Sequence, residues 1–276
     1  MAPPVEAALR RQRTLTLAAL AVLTLLAWGW LVSGAGMGMA AQAWLPFTPR
    51  AALHDAMAGM GGMAGMADMA APAPSAWSNG QLILAILMWW VMMIAMMLPA
   101  AAPTILLYAR AAPAQSTRPA PGHFLAGYLA VWGLFSLAAA GLQDALQVAG
   151  AVAPTTMDST LRWLSAALLV AAGAYQLSPL KDACLAQCRS PAAFLARYYR
   201  PGRVGALRMG AIHGAWCLGC CWLLMALLFV GGVMNLAWIA FLALLVAAEK
   251  LLPGGRRLGQ AAGVALVGWG ALVAFA

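Results

Sequence analysis

The sequence predicts an all-α fold: a polytopic membrane helical bundle of about seven transmembrane helices, with its N-terminus in the cytoplasm. Three observations predict it. Of 276 residues, 64% are hydrophobic and 8% are charged, a balance that few soluble domains show. The apolar residues gather in runs of about 18 or more, the length that crosses a hydrocarbon core. The basic residues collect in alternate connections between those runs.

The runs fall at roughly 14–32, 81–103, 123–143, 160–178, 209–231, 236–252 and 258–275. The last two are short or glycine-rich. With the N-terminus inside, the cytoplasmic segments hold Arg10, Arg11, Arg13, Arg110, Arg118, Lys181, Arg189, Arg197, Arg200, Arg203, Arg208, Lys250, Arg256 and Arg257. The outside holds Arg50 and Arg162. Such an asymmetry sets orientation in a membrane. The positive net charge of +9 is thereby explained as topology. No basic domain is present to carry nucleic acid, so none is expected as a partner.

Residues 1–32 form the first transmembrane helix or a signal peptide. The basic head, apolar middle and small residues near Ala41–Ala43 also fit a cleaved leader. Residues 33–79 read as a periplasmic loop rich in Met and Gly, whose glycines disfavour a stable helix. Residues 80–276 read as the helical membrane domain that binds metal.

Sulfur carries the chemistry. In the loop, "HDAMAGMGGMAGMADMA" places His54, Met57, Met60, Met63, Met66 and Met69 in a register of three. A thioether is a soft, neutral ligand that favours Cu(I) over hard cations. It also tolerates an oxidising compartment better than a thiolate does. The tract reads as a metal capture loop; the plainer alternative is a low-complexity linker.

The second run carries Met88, Met92, Met93, Met96 and Met97, with Pro99 and Pro103 near its cytoplasmic end. Methionine also fills gaps between helices without any further role, and the two readings stand side by side. The fifth run carries the sharpest pattern, "HGAWCLGCCWLLM". His213 and Cys217 are a helical turn apart, and Cys217, Cys220 and Cys221 fall at i, i+3 and i+4. Met225 follows one turn later. The expected role is metal ligation by Cys217, Cys220, Cys221, His213 and Met225, together with Met92, Met93, Met96 and Met97. The alternatives are close helix packing beside Gly210, Gly214 and Gly219, or a redox pair.

In "SPLKDACLAQCRSP", Cys184 and Cys188 sit on a short stretch bounded by Pro179 and Pro191. We expect an interfacial helix whose thiols meet the ion at the cytoplasmic side, with Lys181 and Arg189 favouring thiolate. None of the five cysteines lies in the external loop, which argues against a disulfide framework. Glu249 closes the sixth run beside Lys250, as a helix anchor or a candidate proton or ion relay.

Four segments, "MMIAMMLPAAAPTILLYAR", "GYLAVWGLFS", "AGAYQLSPLKDACLAQCRSP" and "GCCWLLMALLFVGGVMNLAWIAFLALLVAAEKLLPGG", make the chain similar to a bacterial family over residues 80–255. It resembles the family catalogued as domain of unknown function 2182 (DUF2182), described as predicted metal-binding integral membrane proteins. That resemblance marks Met92, Met93, Met96, Met97, Pro99, Tyr175, Gln176, Lys181, Cys184, Cys188, Cys220, Cys221, Met225, Met234, Asn235, Glu249 and Lys250 as the family's positions. His213 and Cys217 fit its pattern less closely, and the Met tract lies outside it.

The expected function is binding and transport of a soft transition metal, most simply Cu(I), across the bacterial inner membrane by a multi-pass protein. A metallochaperone or a copper enzyme would be its partner. Two other readings stay open: a membrane thiol oxidoreductase, and an assembly factor that delivers copper without net transport. No Ser/His/Asp arrangement or carboxylate pair points to a hydrolase.

Overall fold

A computed structural model describes residues 3–35, 76–111, 121–153, 157 and 159–275. The His54–Met69 tract and Arg118 lie outside these. The described residues are helical, apart from turns and one isolated antiparallel bridge between Val152 and Ser159. The helices are α1 (Pro3–Val32), α2 (Asn79–Ala111), α3 (Pro121–Val148), α4 (Arg162–Gln176) and α5 (Pro179–Arg189). They continue with α6 (Pro191–Tyr198), α7 (Gly202–Ala226), α8 (Leu228–Gly231), α9 (Leu236–Leu251) and α10 (Gly255–Phe275).

The all-α membrane-type architecture is as the sequence predicts, and the count of seven crossings is not confirmed. Among the described residues, five helices are long and apolar enough to span a bilayer, and six if α4 and α5 together form one broken span. The reason is length. α9 has 16 residues and α4 has 15, so each rises only about 22–24 Å at 1.5 Å per residue. A hydrocarbon core is about 30 Å thick. α4 continues into α5 only through a 63° bend.

Local sequence explains the breaks. Ser178 caps α5 by accepting from the Lys181 amide at 3.2 Å, and Pro179 occupies the first turn, where its missing N–H costs nothing. Pro191 opens α6 in the same way. Asn235 caps α9 by accepting from the Trp238 amide at 3.3 Å. Pro99 and Pro103 lie within α2, which runs on through them.

The bundle packs α3 on α7, α2 on both α1 and α3, and α4 on α10, with α5 laid against α7. The α3–α7 crossing depends on glycine. A Cβ on Gly210 would collide with the Phe124 carbonyl oxygen, and one on Gly127 with that of Leu207. Small residues at a crossing let helix backbones approach closely in lipid.

Successive hairpins sort the connections into two ends. At one end the Trp77 amide donates to Asp144 Oδ1 at 2.9 Å, and the Ser159 amide to the Phe229 carbonyl at 2.7 Å. At the other end, α5 meets the C-terminus of α9. Arg189 donates to the carbonyls of Glu249 (3.1 Å), Leu252 (2.8 Å) and Pro253 (2.8 Å), satisfying the groups a helix end leaves open.

Candidate metal centre

α7 supplies the stripe that its spacing foretells. His213, Cys217, Cys220, Cys221 and Met225 are all buried. All five cysteines are free thiols. The Cys220 and Cys221 thiols each donate to the Cys217 carbonyl at 3.0 Å, which folds them back over one face of the helix.

Two other helices bring sulfur to that face. From α2, Met97 Sδ lies 3.8 Å from Cys221 Sγ. From α5, Cys188 is buried beside Cys217 and Cys220. A metal–thiolate bond is about 2.3 Å long, so two sulfurs sharing one ion stand no more than about 4.6 Å apart. The Cys221–Met97 separation fits within that limit. Among the described residues, no three His, Cys, Asp or Glu side chains are placed to hold one ion. The thiols neighbour one another pairwise.

Cys217 has two polar neighbours besides thiols. Lys250 Nζ, from α9, donates to Cys217 Sγ at 2.9 Å. The Tyr128 hydroxyl, from α3, lies 3.1 Å from the same sulfur and 3.3 Å from the Met97 carbonyl oxygen. Lys250 and Tyr128 are both buried. Composition and spacing did not single out either as a partner of Cys217. For Tyr128 the available signal is chemical: a buried tyrosine hydroxyl seeks a partner, and an apolar span offers few.

The structure corrects several expectations about the flanking groups. Lys181 is not a surface charge tuning Cys184 and Cys188. It is 2% exposed, pairs with Glu249 Oε2 at 2.5 Å and donates to Gln176 Oε1. Gln176 Nε2 in turn donates to Glu249 Oε1 at 2.7 Å. Glu249 therefore ties α9 to α4 and α5. Lys250 reaches inward to Cys217. The helix bearing Cys184 and Cys188 packs against α7. Cys188 is buried, and half-buried Cys184 sits where a Cβ on Gly219 would be 3.0 Å from its sulfur.

Met92, Met93 and Met96 are buried in the same core as Met225, a place that methionine also fills for packing. His213 stands in a box of rings. Its centroid is 5.0 Å from Phe194, 5.8 Å from Tyr128 and 5.9 Å from Phe124. Its Nδ1 is buried without a hydrogen-bond partner among the described residues.

Fold and site together define a class: a helical protein with membrane-spanning segments, in which three helices bring sulfur side chains to one buried place. The chain belongs to the PpoB2 family of copper chaperones, whose family model matches residues 86–273, more than half of the chain. The matched residues include every member of the sulfur cluster and begin after the methionine tract. The match is to a copper-related family under that name, not to domain of unknown function 2182. No curated protein and no solved structure matches the chain.

Proposed function

We propose that this protein holds Cu(I) between the thiols of Cys217, Cys220, Cys221 and Cys188 and the thioether of Met97, and moves it across the bacterial inner membrane. The observation that carries the reading is the meeting of Cys221 and Met97 at 3.8 Å. Two soft donors from different helices converge there inside the bundle, where thiols and thioethers select a soft cation. Copper is cargo here, so the site must also release it. Pairwise neighbours suit that need, because an ion can pass from one low-coordinate pair to the next, as multi-site conduction requires.

His54, Met57, Met60, Met63, Met66 and Met69 serve as the outer collector in this reading, and Cys184 with Cys188 as the inward exit. The distribution of basic residues supports the orientation. The charge pair of Glu249 and Lys181 holds the site together and leaves the ion to sulfur.

A second reading is favoured by the family's description as copper chaperones: delivery to a partner protein without net transport. The two separate in sealed vesicles. Transport gives Cu(I) accumulation with purified protein alone, whereas delivery gives none until a partner is added.

The binding claim itself is tested by titrating Cu(I) anaerobically into purified protein. Replacing Cys217, Cys220 and Cys221 together with Ser abolishes stoichiometric binding. Binding unchanged by that triple substitution removes the central site.

A further inference from the structure

The thiol cluster contains a buried cation that copper ligation does not by itself require. Lys250 is 6% exposed, and the acceptor its ammonium meets is Cys217 Sγ at 2.9 Å. The nearest carboxylate in sequence, Glu249, is engaged by Lys181. Among the described residues, the groups surrounding Lys250 that can carry negative charge are Cys217, Cys220, Cys221 and Cys188, with Tyr128 beyond Cys217. An ammonium with sulfur for company is unusual, since buried charges are costly unless paired.

We propose that Lys250 makes this site selective for monovalent soft cations, by supplying the one positive charge that a two-thiolate complex of such an ion lacks. A monovalent ion held by two thiolates carries one net negative charge. The ammonium beside Cys217 cancels it, and the loaded site is neutral inside the bilayer. A divalent ion on the same two thiolates is already neutral, and the ammonium then leaves one uncompensated positive charge. A third thiolate would restore neutrality only after the pairwise thiols regroup around a single point. Softness alone does not make this distinction, because thiols bind soft monovalent and soft divalent ions alike.

This inference rests on the proposed thiol site, and the test keeps the two apart. Ag(I) and Cd(II) are the probes, both thiophilic and free of redox chemistry, titrated separately into purified protein with thiolate charge-transfer absorption as the readout. The native protein binds Ag(I) and takes up Cd(II) at least about 100-fold more weakly, as expected for an added like charge near 4 Å. Lys250→Met narrows that ratio by weakening Ag(I) and strengthening Cd(II). Lys250→Arg keeps the charge and restores the native preference, which a purely structural role for the side chain would not explain. Native protein that binds Cd(II) as tightly as Ag(I) overturns the inference, even if Lys250→Met fails to fold. A folded Lys250→Met protein with the native ratio overturns it as well. Failure of the native protein to bind either ion contradicts the thiol site itself.

Discussion

Cys221 Sγ and Met97 Sδ meet at 3.8 Å across the contact between α7 and α2. This is where the soft-donor stripe of one helix touches the methionine-rich face of another. If Met97 ligates, its sulfur matters and its volume does not. Met97→Leu preserves size and costs less than about 1.5 kcal/mol of stability, yet it should weaken Cu(I) binding about tenfold or more. Competition with a chelator of known affinity measures it. Native affinity in Met97→Leu would assign that residue to packing alone.

Cys188 and the α7 thiols offer a test of geometry that does not depend on copper. Cys188 lies on α5 beside Cys217 and Cys220, so mild oxidation should join α5 to α7. Cleavage of the chain between residues 189 and 202, followed by non-reducing electrophoresis, reads out the cross-link. Preloading with Ag(I) should protect it, because the same sulfurs would be occupied. Fragments that separate after oxidation would place α5 elsewhere.

Lys181 and Glu249 form a buried ion pair at 2.5 Å, each 2% exposed at the side chain. Removing one partner of such a pair strands the other, at a cost of about 3–5 kcal/mol. Lys181→Met and Glu249→Leu should each lower the thermal midpoint sharply. The double variant should recover most of the loss, because no charge is then left unpaired. Additive losses in the double variant would show that the pair is not coupled.

Gly210 has room for hydrogen only, since a Cβ there would strike the Phe124 carbonyl oxygen. Gly210→Ala should therefore push α3 from α7 at a cost of about 1–3 kcal/mol. It should also disturb the Tyr128 contact with Cys217, which spans the same interface. Gly141, against which nothing packs, is the control, and its Ala variant should be close to neutral or slightly stabilising. Equal effects at the two glycines would contradict the crossing.

The helical class was legible because each apolar run is long and helical spacing groups its chemistry. The α7 stripe followed from the i, i+3, i+4 register of Cys217, Cys220 and Cys221. The start of α5 was visible as Pro179. What the sequence could not show is where α5 goes after its 63° bend, and so which thiols Cys188 would meet. That is a long-range packing outcome with no local signature. The inward turn of Lys250 has no local signature either. A lysine at a helix end ordinarily extends into water along an apolar stem, and only the placement of α7 beside α9 turns it inward. The count of seven crossings is not confirmed, because α9, with 16 residues, is shorter than the helices of membrane-spanning length.

The most direct test of a sulfur-held ion is X-ray absorption at the copper edge on protein loaded anaerobically with one equivalent of Cu(I). The account predicts a first shell of two or three sulfurs at about 2.2–2.3 Å, lost when Cys217, Cys220 and Cys221 are replaced by Ser. A first shell of nitrogen and oxygen in the native protein, unaltered by those substitutions, would contradict it.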